Sequence, residues 1–203
     1  FHTDYVKPVL NEQLRDEIRL LKRFMKGIGV YGAEIKVGGF SGYLCELLTL
    51  NYGSFVGVLK AVADWDEETS IIDYEGYYKS RENEVKKIFE EPLVVVDPVD
   101  KGRNAGSAVR RERLDEFIAA SREFLKKPSL AYFYPRGIKA FSSKKLVKVM
   151  KTRGSALVLV SFGRVKTVPD VLWGQLYKTQ RSLRRMLKQH DFIVIRVLVW
   201  SDE

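Results

Sequence analysis

The chain has 203 residues, 45% of them hydrophobic, which is enough for one large domain or two small ones with a genuine core. A single cysteine, Cys45, excludes an internal disulfide, two histidines, His2 and His190, exclude a zinc set of usual spacing, and no apolar run is long enough to span a bilayer. The net charge of +9 is lopsided: residues 1–100 carry 12 Lys and Arg against 18 Asp and Glu, whereas residues 101–203 carry 23 against 8, so the second half is expected to neutralise phosphates.

The opening from Phe1 to Pro8 starts without Met and is read as continuing from a preceding segment; it lacks the basic flank and apolar stretch of a signal peptide, and a reducing, cytoplasmic setting is expected. From Asn11 onward Leu14, Ile18, Leu21 and Met25 recur at helical spacing, with Asn11 as cap and Gly27 and Gly29 as the stop. A glycine-rich turn, Lys36-Val-Gly-Gly-Phe-Ser-Gly-Tyr43, then leads into a helix capped by Ser41 and running to about Leu50. Ser54 caps another, with Phe55, Val58, Leu59 and Val62 on one face. Residues 64–91 are polar and read as loop plus a short helix. The β-branched run from Leu93 to Val96, closed by Asp97 and Pro98, is either a strand or an extended buried segment. A long helix is predicted from Ser107 to Pro128, carrying Leu114, Phe117, Ile118, Phe124 and Leu125.

Beyond Pro128 the pattern gives a helix at 142–152, a strand at 155–162, a helix at 169–189 and a strand at 192–200. The expected fold class is therefore α+β: a helical domain over 1–127, followed over 128–203 by a small ferredoxin-like or RNA-recognition-like sheet domain.

Two patterns carry possible chemistry. Gly53 and Ser54 followed by Asp64 and Asp66 have the order of the Gly-Ser helix and paired aspartates of polymerase-β-type nucleotidyltransferases, whose carboxylates hold two magnesium ions. Here the aspartates run into Glu67, Glu68, Thr69 and Ser70, and a polar stretch does not fix two repelling carboxylates as a buried strand does; a solvated helix end is expected, with no catalytic or metal-binding residue in the chain. The turn from Gly38 to Gly42 either cradles phosphate on backbone amides or permits tight packing, and it lacks the Gly-Lys-Ser/Thr ending of a P-loop.

Three stretches taken together resemble one family: Phe1-His-Thr3; the run from Glu17 to Phe24 leading to Gly29-Val-Tyr-Gly-Ala-Glu34 and the glycine-rich turn; and Val95-Val-Asp-Pro-Val-Asp-Lys-Gly-Arg-Asn104. They are similar to the archaeal, class I CCA-adding enzymes, which build or repair the CCA end of tRNA without a nucleic-acid template. The resemblance implies a nucleotide-contacting central domain and a tRNA-binding body domain, with a catalytic head holding magnesium outside the chain, so that the chain alone is expected to be inactive. It implies ATP and CTP as substrates, tRNA as partner and no membrane, and it allows a homodimer.

By that resemblance His2, Lys22 and Tyr31 contact the triphosphate, and Arg103 reads the base edge of the incoming nucleotide with its planar fork, while Asp97 and Asp100 position the arginine or cap the turn. In the second half Arg181, Arg184, Arg185 and Lys188 follow one another at helical spacing, with Lys144, Lys145, Lys148 and Lys151 on an earlier helix. Such residues grip a backbone without reading sequence, which suits the acceptor stem. The alternatives are a stand-alone RNA-binding module without nucleotide chemistry and a minimal catalytic pair at Asp64 and Asp66.

Overall fold

The computed structural model describes residues 5–66, 70–79, 81–137, 142–163 and 166–201. The chain divides into two compact units, residues 1–135 and 136–203. The division expected near residue 127 falls between Pro135 and Arg136, because the segment after the last helix of the first unit folds back into that unit: a short 3-10 turn at Leu130–Tyr132 brings Tyr132 and Phe133 against the core.

Three successive helices form the base of the first unit. Helix α1 (Glu12–Ile28) starts where Asn11 accepts from the Leu14 N–H and stops at Gly29, whose φ of 80° suits a residue without Cβ; it buries Ile18, Leu21, Phe24 and Met25. Helix α2 (Gly42–Tyr52) is capped by Ser41 and α3 (Phe55–Ala63) by Ser54, each side-chain oxygen accepting a backbone N–H at 3.0 Å. Between α1 and α2 the chain closes a tight loop: the Phe40 N–H donates to the Val30 carbonyl at 2.8 Å and the Gly32 N–H to the Phe40 carbonyl at 2.9 Å. Gly39 is required there, since a Cβ would lie 2.0 Å from the Val30 oxygen.

A three-stranded sheet in the order β1-β2-β3 stands beside the helices, with β1 (Ser70–Ile72) parallel to β2 (Leu93–Asp97) and β2 antiparallel to β3 (Asp100–Asn104). The Leu93 run is thus a strand, buried at every position, as a central strand covered on both faces must be. Helix α4 (Glu82–Ile88) packs Val85 and the following Phe89 against Val94 and Val96 in a small second core. Helix α5 (Arg111–Lys126) begins four residues later than the pattern predicted, the preceding residues being spent on a turn in which the Arg110 N–H donates to the Gly38 carbonyl. It buries Leu114, Phe117 and Ile118, and Phe24 gathers Phe55, Phe117, Phe124, Tyr132 and Phe133 around itself at centroid distances of 5.3 to 6.5 Å.

In the second unit helix α6 (Ser143–Arg153) is capped by Ser142 and ends at Gly154, and α7 (Pro169–Gln189) begins on its proline and buries Trp173. The fold is α+β, but the sheet belongs to the first unit. The sheet expected over 155–162 and 192–200 is not formed: among the described residues of the second unit there is no strand, and Leu159, Ile193 and Ile195 are 79 to 93% exposed. The two segments have the composition of strands without a ladder partner for their backbone groups, and composition alone forms no sheet.

Candidate functional site

Helix α1 and the start of α2 bring two of the sequence-predicted residues together. Lys22 sits on α1 beside the buried face, half-buried, and its Nζ lies 2.7 Å from Glu46 Oε1 on α2. Tyr31 follows the Gly29 turn and is also half-buried, with the Lys26 ammonium 4.8 Å from its ring centroid. Both converge on Gly42, the first residue of α2: a Cβ built there would lie 3.1 Å from the Tyr31 hydroxyl and 3.6 Å from Lys22 Nζ. An ammonium, a phenol hydroxyl and the N-terminal end of an 11-residue helix thus meet over a residue with no side chain, an arrangement of donors suited to an anion. Gly38 and Gly39 in the same turn serve packing, against Arg110 and the Val30 carbonyl. His2 lies outside the described residues.

Arg103 is on β3, with its side chain about half exposed. Its Nε lies 3.7 Å from Oδ2 of Asp97, a carboxylate that is 0% exposed at the end of β2. The other oxygen, Oδ1, accepts from the Val99 N–H at 3.1 Å and from the Tyr43 hydroxyl at 3.0 Å, so Asp97 both holds the turn and faces the arginine. Asp100 caps the same turn by accepting from the Gly102 N–H at 3.0 Å. Burial, then the hydrogen bond to Asp97, raise the Tyr43 phenol above its ordinary pKa, so it stays a donor at any neutral pH. Two further tyrosines hold this hairpin by its backbone: Tyr77 donates to the Pro98 carbonyl at 2.7 Å and Tyr78 to the Lys101 carbonyl at 2.8 Å.

Glu46 and Tyr43 were not singled out from sequence, and Gly42 was read only as the end of the turn from Gly38 that cradles phosphate or permits tight packing. The available signal was the placing of Tyr43 and Glu46 three residues apart on a helix whose buried residues are Leu44, Cys45, Leu47, Leu48 and Thr49, which puts a phenol and a carboxylate together on the remaining face.

Asp64 and Asp66 lie exposed just beyond the end of α3, where Arg122 donates to the carbonyls of Ala63 and Trp65 at 2.7 Å each. No strand carries them, and among the described residues no three His, Cys, Asp or Glu side chains are grouped to hold a metal ion.

The eight basic residues of the second unit that the sequence marks for RNA binding are all exposed. Arg181, Arg184, Arg185 and Lys188 line one open patch of α7, and Lys144, Lys148 and Lys151 line another on α6, which Lys145 does not join. Over the whole unit 15 Lys and Arg face four Asp and Glu, a net of +11, against −2 for residues 1–135.

Comparison with known proteins matches both units. A family described as tRNA nucleotidyltransferase, second domain, matches residues 16–134, and one described as CCA-adding enzyme, C-terminal domain, matches residues 153–203. Curated relatives named CCA-adding enzyme are 43% identical over 202 residues in Saccharolobus solfataricus, 42% over 202 residues in Methanothermobacter thermautotrophicus and 41% over 203 residues in Methanosarcina barkeri. The matches cover 99 to 100% of this chain and 42 to 45% of the relatives, so the chain spans less than half the length of the proteins it resembles. No helix among the described residues is long and apolar enough to cross a membrane.

Proposed function

We propose, on the premise that this chain belongs to the tRNA nucleotidyltransferase family whose second domain matches residues 16–134, that it forms the nucleotide-contacting and RNA-holding portion of a CCA-adding enzyme. The intact enzyme adds CMP, CMP and AMP to the 3′ end of tRNA without a nucleic-acid template. The observation that carries the nucleotide half of this reading is the convergence of Lys22 and Tyr31 on the side-chain-less start of α2, with Arg103 tied to the same helix through Asp97 and Tyr43.

Lys22 and Tyr31 bind the triphosphate of CTP or ATP, aided by the α2 N-terminus; His2 joins them by resemblance alone. Arg103 donates to acceptors on the base edge of cytosine or adenine, and uracil, which carries N–H at N3, presents a different pattern. The exposed cations of α6 and α7 grip the phosphates of the acceptor stem by shape and charge. Magnesium is held by carboxylates outside these 203 residues, a reading supported by the lack of any group of three His, Cys, Asp or Glu side chains among the described residues. The enzyme works in the cytoplasm.

Incubation of the chain alone and of the full-length protein with tRNA lacking CCA, labelled CTP and ATP, and magnesium tests this. Incorporation by the full-length protein, together with tRNA binding but no incorporation by the chain alone, is expected. Incorporation by the chain alone would instead restore Asp64 and Asp66 as a catalytic pair. A stand-alone RNA-binding module is disfavoured by the family match over the nucleotide-contacting unit.

A further inference from the structure

Two polar residues share one turn of the otherwise core-facing helix α2. Glu46 takes the Lys22 ammonium at 2.7 Å, and Tyr43, three residues earlier and on the same side, donates its hydroxyl to Asp97 Oδ1 at 3.0 Å. Asp97 has no exposure to water; its Oδ1 accepts from the Val99 N–H and the Tyr43 hydroxyl, and its Oδ2 forms an ion pair with Arg103 Nε at 3.7 Å. Tyr43 is the one of these three that comes from a different element, since Val99 and Arg103 belong to the same hairpin as Asp97. Without the phenol, the hairpin's carboxylate has no side-chain tie to α2 through this bond.

The guanidinium is half exposed on a long, flexible side chain, and a planar fork discriminates bases only if its plane is fixed. The ion pair with Asp97 is made at Nε, the hinge between the alkyl stem and the fork, where an attracting carboxylate biases that plane.

Resting on the nucleotide-binding reading above, we propose that Tyr43 is a specificity-determining positioning residue. It touches no base, but it holds Asp97, and Asp97 aims Arg103. Because Glu46 on the same turn holds Lys22, helix α2 sets the base-reading arginine and the triphosphate-gripping lysine in one rigid frame. The two positions have separate signatures. Loss of the Tyr43 hydroxyl loosens discrimination between bases, whereas loss of the Glu46 charge changes the grip on a group common to all nucleoside triphosphates.

The test uses the full-length enzyme with Tyr43→Phe, Glu46→Gln and Arg103→Ala, measuring kcat/KM for correct CTP and for UTP on tRNA ending before the CCA. Tyr43→Phe keeps the ring and its packing; the CTP-over-UTP ratio is expected to fall about tenfold. Glu46→Gln is expected to change KM for CTP and ATP alike and to leave the ratio within about twofold. Partial unfolding lowers the rates with all nucleotides in proportion, so the ratio separates aiming from simple destabilisation. A ratio unchanged in Tyr43→Phe but lost in Arg103→Ala would overturn the role of Tyr43 while leaving Arg103 as the base reader. A ratio unchanged in both would remove the base-edge reading itself and the Tyr43 role with it.

Discussion

Gly42 is the residue at which the nucleotide site and the fold make opposite demands. As the first residue of α2 it would be improved as a helix former by alanine, by up to about 1 kcal/mol in a helix interior and less at this end position. The added methyl, however, would press to 3.1 Å from the Tyr31 hydroxyl and 3.6 Å from Lys22 Nζ, filling the space over which the anion donors converge. Gly42→Ala is therefore expected to leave the melting temperature unchanged or slightly raised while weakening ATP binding about tenfold, as read by calorimetric titration. Weakened binding accompanied by a large loss of stability would place Gly42 in the fold and not in the site. Cys45 gives a second, independent check on the same helix. It is fully buried, and desolvation pushes its thiol up to about 12, from an ordinary value of 9.0. Below pH 9 the thiol is protonated in folded and unfolded chain alike and adds no pH dependence; above it the unfolded chain ionises first, so stability falls as pH rises towards 12. Denaturant midpoints at about pH 8 and about pH 10 should diverge less in Cys45→Ala than in the parent, and Cys45 should resist alkylation until the chain unfolds. At this scale the caps were legible: Asn11, Ser41 and Ser54 are polar residues placed just before apolar periodicity, and each accepts the N–H that the pattern implies. The Tyr43–Asp97 bond was not, because its partners are 54 residues apart and nothing local in either segment names the other.

Among elements, the contact between α1 and the turn at Leu130–Tyr132 decides where the first unit ends. Gly27 is helical, yet a Cβ there would lie 1.9 Å from the Tyr132 carbonyl oxygen, so the turn can approach only because that side of α1 is bare. Gly27→Ala has no room to be absorbed by a flexible side chain, since the obstacle is backbone. It should detach the turn, expose Phe24 and Phe133, and cost roughly 2 to 3 kcal/mol of stability in denaturant unfolding, with new tryptic cleavage after Lys126. Stability within about 0.5 kcal/mol of the parent would show that the turn is not held by this contact. The sequence read Gly27 and Gly29 together as the helix stop; the helix runs one residue past Gly27, and Gly29 is the stop. Strand β1 escaped the sequence pattern because three residues, Ser70 to Ile72, are too few for alternation to show, and its parallel partner lies more than twenty residues on. The opposite error arose at 155–162 and 192–200, where β-branched runs were read as strands. A strand is defined by its ladder, and side-chain preference supplies no hydrogen-bond partner.

For the molecule as a whole, charge separates the two units more cleanly than any motif does. Residues 136–203 carry a net of +11 and residues 1–135 a net of −2, so a polyanion is drawn to the second unit. If α7 grips phosphates, each cation that touches one releases counterions, and the logarithm of tRNA affinity should fall linearly with the logarithm of salt concentration. Replacing Arg181, Arg184, Arg185 and Lys188 by Gln removes every cation that lines one basic patch, all of them exposed and none packed into a core. The slope should decrease by about one for each of the four that contacts a phosphate, and the loss of affinity should be large at low salt and small at high salt. The same replacement at Lys144, Lys148 and Lys151 measures the α6 patch separately, and Lys145→Gln, outside that lining, should change the slope less than any of the three. Nucleotide affinity should be unchanged in all these variants, because Lys22, Tyr31 and Arg103 belong to the first unit. An α7 variant that binds tRNA more weakly but keeps the parent's salt slope would mean that its cations do not meet phosphates, and that the basic face of this helix is solvated surface.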